Sequence, residues 1–118
     1  MLTDDFIIEQ SRMVIRYLRT VLCDPAAVDE DTSKMQFTGV QAALQQQLLA
    51  LIQQSSYNQA EDLLFDEIEA DNQMETLRLG LWYYANLLLV EEQELESHGY
   101  GKDEILEGLH ELEQRTFL

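Results

Sequence analysis

Two glutamate–histidine pairs have the residue types and spacing to bind a metal ion. Glu107 and His110 form an E-x-x-H motif, which places a carboxylate and an imidazole on one helix face. Glu94 and His98 are spaced i, i+4, which also permits chelation. Di-iron bundles use two E-x-x-H pairs and two further glutamates, and a second such pair is missing here. Because chance readily produces one E-x-x-H in so acidic a chain, we expect exposed histidines and no cofactor. A small-ligand- or metal-binding helical bundle is the alternative.

Three arginines form the second group with chemical potential. Arg12, Arg16 and Arg19 fall together on one side of the predicted first helix and make up three of the seven basic residues. Their guanidinium groups could bind a small anion or carboxylate. The alternative is pairing with acids such as Glu9, where each exposed pair adds only about 0–1 kcal/mol.

The outer face of the predicted third helix is strongly acidic. It carries Glu61, Asp62, Asp66, Glu67 and Glu69. The spacing is that of a solvated face, and a catalytic pair of carboxylates would require burial. We predict that these acids, apart from Glu67, bind a protein partner together with the three arginines.

The sequence lacks the usual signatures of catalysis. It has no glycine-rich phosphate loop, no nucleophile elbow and no Cys–His pair at a recognisable spacing. The run Trp82-Tyr83-Tyr84 could line a ligand pocket, but beside leucines at helical spacing it is more typical of a core. We therefore expect that the protein is not an enzyme.

Charge restricts the kinds of partner. The chain has 23 acidic and 7 basic side chains, for a net charge of −16. Nucleic acid and anionic membranes would be repelled, so we expect neither as a partner. An acidic mimic of nucleic acid is a further hypothesis. A basic protein partner is complementary, and solubility alone is the simpler explanation. Residues 1–60 carry net −3 and residues 61–118 net −13, so antiparallel packing of helix 1 near helix 3 or 5 would compensate charge.

Length and cysteine usage are typical of one intracellular domain. We predict that residues 1–118 form a single helical domain. Cys23 is the only cysteine, so no internal disulfide or cysteine-based zinc site is expected. The first residues lack the features of a signal peptide, and no apolar run approaches the roughly 18 residues of a membrane span. A cytoplasmic location is the default expectation.

One proline and five glycines favour helices over strands and turns. We predict an all-α bundle of five helices in antiparallel hairpins, with an acidic connector at 24–36. The predicted helices are 4–22, 38–54, 57–70, 74–95 and 102–114. Helix 74–95 is central, because residues 81–90 are apolar or aromatic except at Asn86 and must be covered on several sides. Gly108 would let helix 5 approach it closely.

Helices 1 and 2 are the candidates for self-association. Apolar residues of helix 1 sweep roughly 220° of the helical wheel, enough for two neighbours or for one neighbour and a second copy. Helix 2 lies in a stretch between Gln36 and Ala60 without any charged residue. Uncharged polar groups cost less to desolvate than ions, so helix 2 either contacts a second copy or exposes a glutamine-rich face. A homodimer is therefore left open.

The hairpin 44–71 resembles a tetratricopeptide repeat. The matching residues are Leu44 and Leu51 in its first helix, Tyr57 after the turn, and Ala60 and Leu64 in its second helix. Leu48, Glu67 and Asn72 depart from the repeat's pattern. A second unit keeps the aromatic residue at Tyr100 but has Asp103 where the repeat has a small residue.

The whole chain also resembles a family of short bacterial helical proteins of unknown function. The resemblance rests on the opening Asp5-Phe6-Ile7-Ile8-Glu9-Gln10 and on the hairpins that follow. It implies a role in protein interaction. We therefore predict an interaction module or adaptor that binds a basic or helical protein partner.

Overall fold

The computed structural model describes residues 4–24 and 31–117. These residues form six α-helices and one short 3₁₀ helix, without any strand among them. The elements are α1 (Asp4–Leu22), the 3₁₀ helix (Thr32–Lys34), α2 (Gly39–Gln53), α3 (Tyr57–Ala70), α4 (Met74–Leu87), α5 (Glu92–Ser97) and α6 (Lys102–Thr116). The predicted all-α bundle is confirmed. Of the predicted connector 24–36, residues 25–30 lie outside the described residues, and its second half contains the 3₁₀ helix.

Helix α4 is the centre of the bundle, as its apolar sequence predicts. It contacts α1, α2, α3, α6 and the 3₁₀ helix. Ten of its 14 residues are buried. A helix that is apolar around most of its circumference needs this many neighbours, because each exposed side would otherwise present apolar surface to water.

The central helix is shorter than predicted, and the bundle has six helices instead of five. Helix α4 ends at Leu87, the chain turns through residues 88–91, and α5 begins at Glu92. The buried ammonium of Lys102 donates to the carbonyls of Leu88 (3.3 Å) and Val90 (3.0 Å). These carbonyls lie past the end of α4 and would otherwise lack partners, so Lys102 stabilises the break. The predicted second hairpin is thus three helices, α4, α5 and α6.

Helices α1 and α6 both run antiparallel to α4. The Arg78 guanidinium, near the start of α4, donates to the carbonyl of Leu22 at the end of α1. Gly80, also in the first half of α4, contacts Leu112 in the last turns of α6. Since both helices run antiparallel to α4, α1 and α6 run in the same direction. They also contact each other extensively. Of the two neighbours considered for helix 1, the last helix is the one that packs against it, and it does so in parallel and not antiparallel.

A carboxylate joins three parts of the bundle. Oε2 of Glu61 on α3 accepts hydrogen bonds from the hydroxyls of Tyr84 on α4 (2.7 Å) and Tyr100 before α6 (2.8 Å). The hydroxyl of Tyr83 donates to the carbonyl of Tyr57 (2.8 Å). Tyr83, Tyr84 and Tyr100 are fully buried, so each hydroxyl needs an acceptor within the protein. These bonds supply the acceptors and hold α3 against α4.

Gly108 makes room for one of these tyrosines. A Cβ atom at this position would lie 2.1 Å from the Tyr84 hydroxyl oxygen. The predicted close approach of the last helix to the central one is therefore confirmed. The glycine is required because the Tyr84 ring occupies the space of a side chain.

A second carboxylate fastens α5 to the turn between α2 and α3. Oε1 of Glu94 accepts hydrogen bonds from the hydroxyls of Ser55 (2.6 Å) and Tyr57 (3.2 Å). The bond from Ser55, with help from Tyr57, lowers the pKa of Glu94 from its usual value. Leu95, the next residue, is fully buried. The short α5 is thus held by one polar contact and one apolar anchor.

We expect Gly108→Ala to destabilise the protein by about 2 kcal/mol or more, since the Tyr84 ring cannot move without breaking its bond to Glu61. Gly80→Ala is the matched control, because its Cβ would meet only the side chain of Leu112, whose nearest methyl carbon would lie 2.8 Å away and can shift. That control should stay within about 1 kcal/mol of wild type, because alanine also favours the helix. Urea denaturation measures both, and equal stability of the two variants would contradict the steric role of Gly108.

We expect stability to fall in alkaline solution. Burial raises the pKa of Tyr83, Tyr84 and Tyr100 above the usual value, and the Glu61 carboxylate adds to the effect. Tyrosine side chains in the unfolded protein ionise at about pH 10. Because the folded pKa values are higher, the stabilisation is complete below that pH and is lost as the pH rises above it.

The measurement is the urea midpoint between neutral pH and the onset of alkaline unfolding. The midpoint should fall as pH rises past about 10. In Tyr100→Phe the fall should be shallower, since one raised phenol is removed. A midpoint that does not change over this range would contradict the assignment.

Candidate interaction surface

Helix α1 buries one face and exposes another. The buried face faces α4 and α6 and consists of Ile7, Ser11, Ile15, Leu18 and Leu22. Its one polar member, Ser11, donates to the carbonyl of Ile7 (2.8 Å), so burial leaves the hydroxyl satisfied. Together with the half-buried Val14 and the buried Arg19, these residues make the contact of α1 with the rest of the bundle.

A second apolar face of α1 points to solvent. Phe6, Met13, Tyr17 and Val21 are 46%, 60%, 49% and 38% exposed, and we call these four residues the α1 stripe. At about 100° per residue, their spacing places them on one side of the helix. Phe117, the residue after α6, is 58% exposed. The centroid of its ring lies 6.2 Å from that of Tyr17, so Phe117 adds to the apolar surface of the stripe. Gln10 interrupts the row between Phe6 and Met13, and its amide donates to Sδ of Met13 (3.9 Å). Exposed apolar side chains grouped on one helix face mark sites of protein interaction.

Two arginines border the α1 stripe. Arg12 and Arg16 are both exposed and line a cavity of about 300 Å³ between α1 and the end of α4. Arg16 also lines a shallow depression of about 320 Å³ on the stripe itself, together with Met13, Tyr17 and Thr20. Arg12 forms an exposed ion pair with Glu9 (3.4 Å), which is weak because water and salt screen it.

Arg19 is separated from the other two arginines. It is only 4% exposed, and its guanidinium donates to Oγ1 of Thr32 (3.0 Å), which is itself buried. Arg19 therefore fastens the 3₁₀ helix to α1. The predicted set of three arginines divides into two at the surface and one within the fold.

The predicted acidic residues also divide. Glu61 is half-buried and accepts the two tyrosine hydroxyls described above, and Glu69 pairs with Arg115 (2.9 Å). Asp62 and Asp66 are exposed on the outer side of α3. Two of the four predicted partner-binding acids are thus engaged inside the bundle or across its surface.

The glutamate–histidine pairs do not assemble further. Within the described residues, no group of three or more His, Cys, Asp or Glu side chains has the geometry to hold a metal. Glu94 bonds Ser55 and lies 3.5 Å from His98. His110 is exposed and lies 3.9 Å from Glu113.

The sequence pattern alone did not separate the α1 stripe from the core. All of its members belong to the broad apolar sweep of helix 1, and the boundary depends on where α4 and α6 pack. The available signal was the spacing of Phe6, Met13 and Tyr17 at i, i+7 and i+11, beside arginines instead of leucines.

Among the described residues, none of the helices combines the length and apolarity needed to cross a membrane.

A family model described as a family of unknown function, DUF6483, matches residues 1–116. The chain belongs to this family. The match spans every helix of the bundle, from α1 to α6, so the family's domain is the whole fold described above. The predicted resemblance to an uncharacterised helical family is confirmed. Searches of curated proteins and of solved structures found no match.

We expect that the α1 stripe contributes little to folding stability. Met13→Ala and Tyr17→Ala should each change the free energy of unfolding by less than about 1 kcal/mol, because both side chains are about half or more exposed. Leu18→Ala, on the buried face of the same helix, should cost about 2–5 kcal/mol. Thermal or urea denaturation makes the comparison. Large losses at Met13 and Tyr17 would show that the stripe belongs to the core.

Proposed function

We propose that the protein is an interaction module that binds an amphipathic helix of a protein partner on the α1 stripe. The observation that carries the proposal is the row of exposed apolar side chains from Phe6 to Val21, on a helix whose other face already completes the core. Each of these side chains is at least 38% exposed, and the ring of Tyr17 also contacts that of Phe117. A helix laid along the row would bury the aromatic and methionine side chains, which are the types enriched at protein interfaces.

Charge identifies the kind of helix. Arg12 and Arg16 border the stripe in a chain of net charge −16. A partner helix with acidic residues along one edge of its apolar face would pair with these arginines, whereas a basic helix would be repelled there. A basic partner would instead meet the exposed Asp62 and Asp66 on α3. The apolar stripe makes the helical partner the better-supported of the two predicted kinds.

A second copy of the chain is a specific candidate for this partner. Asp5 and Glu9 precede Arg12 and Arg16 along α1, so the helix is acidic at its start and basic beyond its middle. In an antiparallel pair of α1 helices centred on Met13, Glu9 of one copy lies opposite Tyr17 of the other and one position from Arg16. Phe6 then lies opposite Thr20, one position from Val21. The arrangement is self-complementary, as two-fold symmetry requires.

The rest of the fold serves as a scaffold for the exposed helix. In the α2–α3 hairpin, Leu44, Tyr57, Ala60 and Leu64 are buried, and Leu51 is half-buried. We place the protein in the cytoplasm, where its free Cys23 stays reduced; burial raises the pKa of this thiol and makes it less reactive.

We expect Met13→Asp and Tyr17→Asp to abolish capture of the partner by the tagged protein from a lysate of its host. A charge in the middle of an apolar contact is costly to desolvate. Val40→Asp is the matched control, because Val40 is 75% exposed on α2 and lies outside the stripe. Capture followed by mass spectrometry compares the variants at equal protein concentration.

Two further variants separate the alternatives. Asp62→Lys together with Asp66→Lys should leave capture unchanged if the stripe is the site. Loss of capture in that double variant, with capture retained in Met13→Asp, would overturn the proposal in favour of the acidic surface. If the captured protein is the chain itself, sedimentation velocity should show a dimer that becomes a monomer in Met13→Asp.

A further inference from the structure

A separate cavity opens on the opposite side of α4 from the cluster of Glu61 with its tyrosines. Its volume is about 450 Å³, within the range of about 300–1,000 Å³ typical of small-molecule sites. It lies where the 3₁₀ helix and the residues after it meet α2 and α4. Its walls are Ser33, Lys34, Met35, Gln36, Gln45, Gln46, Leu49, Trp82 and Asn86.

No carboxylate lines this cavity, although the chain has 23 acidic residues. Lys34 supplies its only ionised side chain. The cavity between α3 and α6, on the Glu61 side of α4, is in contrast lined by four glutamates among its six residues. The lining of the first cavity therefore carries no charge that repels an anionic group, and the carboxylate of Asp31, which accepts a hydrogen bond from Ser33, lies outside that lining.

The amide side chains of the cavity are already oriented. Nδ2 of Asn86 donates to the carbonyls of Ser33 (3.3 Å) and Trp82 (2.9 Å), which leaves Oδ1 of Asn86 to accept. Nε2 of Gln45 donates to the carbonyl of Met35 (3.0 Å), which fixes that side chain as well. Groups held in place before a ligand arrives lose little entropy when it binds.

Trp82 supplies a donor. The side chain is only 4% exposed, and its indole N–H has no hydrogen-bond acceptor within residues 4–24 and 31–117. This nitrogen is not among the side-chain polar atoms of the described chain that are both sealed and without an acceptor, so it keeps some contact with solvent. Trp82 lines this cavity, so its donor is available to a molecule bound there. Buried indole N–H groups usually find a partner.

We propose that this cavity binds a small carboxylic acid that also carries a hydroxyl, amide or amine donor. The Trp82 indole N–H and the Lys34 ammonium would donate to the carboxylate. The amide oxygens of Asn86 and Gln45 would accept from the ligand's own donor. Hydroxy acids and amino acids have this combination of groups, and the site is independent of the α1 stripe.

Trp82 is also the probe, since it is the only tryptophan in the chain. Its fluorescence should change saturably on titration with at least one of L-lactate, L-malate, L-serine and L-glutamine at millimolar concentrations. Propionate has the carboxylate without the second donor and should bind roughly tenfold more weakly.

Variants of the cavity complete the test. Lys34→Ala, at an exposed position, and Asn86→Leu should each weaken the fluorescence-detected affinity roughly tenfold. Gln47→Ala, exposed on the same helix as Gln45 but outside the cavity, should bind as wild type does. The absence of a saturable change with all four acids would overturn the proposal. Equal affinity in Lys34→Ala and wild type would overturn it as well.

Discussion

The hydrogen bonds from Tyr84 and Tyr100 to the Glu61 carboxylate are the interaction on which the rest of the bundle depends. Two phenol rings with no exposed surface occupy the space between α3, α4 and α6, and their hydroxyls must find acceptors there. One carboxylate oxygen satisfies both. Gly108 is the steric condition for this arrangement, because any side chain there would displace the Tyr84 ring. Together these residues position α6, which in turn contacts α1.

This use of Glu61 changes the reading of the protein's surface. An acidic helix face in a chain of net charge −16 invites the interpretation of a binding site for a basic partner. Here Glu61, the first acid of that face, accepts two buried tyrosine hydroxyls, and Glu69 is paired with Arg115. Besides the exposed Asp62 and Asp66, the surface that stands out is apolar and lies on α1, between the arginines and Phe117. We therefore place the proposed contact with a helical partner on α1, and a small-molecule site on the far side of α4.

Much of the fold follows from local sequence patterns. The bounds of α1 and α3 agree with the predictions, because each helix has a clear apolar periodicity and a turn or proline near its end. The break after Leu87 was missed, since residues 88–90 are as apolar as the helix before them. What ends the helix is Lys102, more than ten positions away in the sequence, whose ammonium binds the carbonyls of the turn. Such long-range contacts leave no mark on local periodicity.

The candidate site was only partly predictable for the same reason. The sequence identified Arg12 and Arg16 and the excess apolar width of helix 1. It could not show that Arg19 would be covered by Thr32, or that Glu61 would turn inward to two tyrosines distant in the chain. In both cases the sequence assigned the side chain to an outward face of its helix, and in the structure a neighbouring element packs against it. Its role depends on which neighbour packs against that face.

The most direct test of the central claim is a double-mutant cycle between Glu61 and Tyr100. Glu61→Ala, Tyr100→Phe and the double variant are each compared with wild type by urea denaturation. If the carboxylate–phenol bond holds α3 to the start of α6, the coupling energy should be about 1.5–3 kcal/mol, the range for a hydrogen bond to a charged group. Additive effects of the two substitutions would contradict the account, because they would show that Glu61 and Tyr100 stabilise the bundle independently.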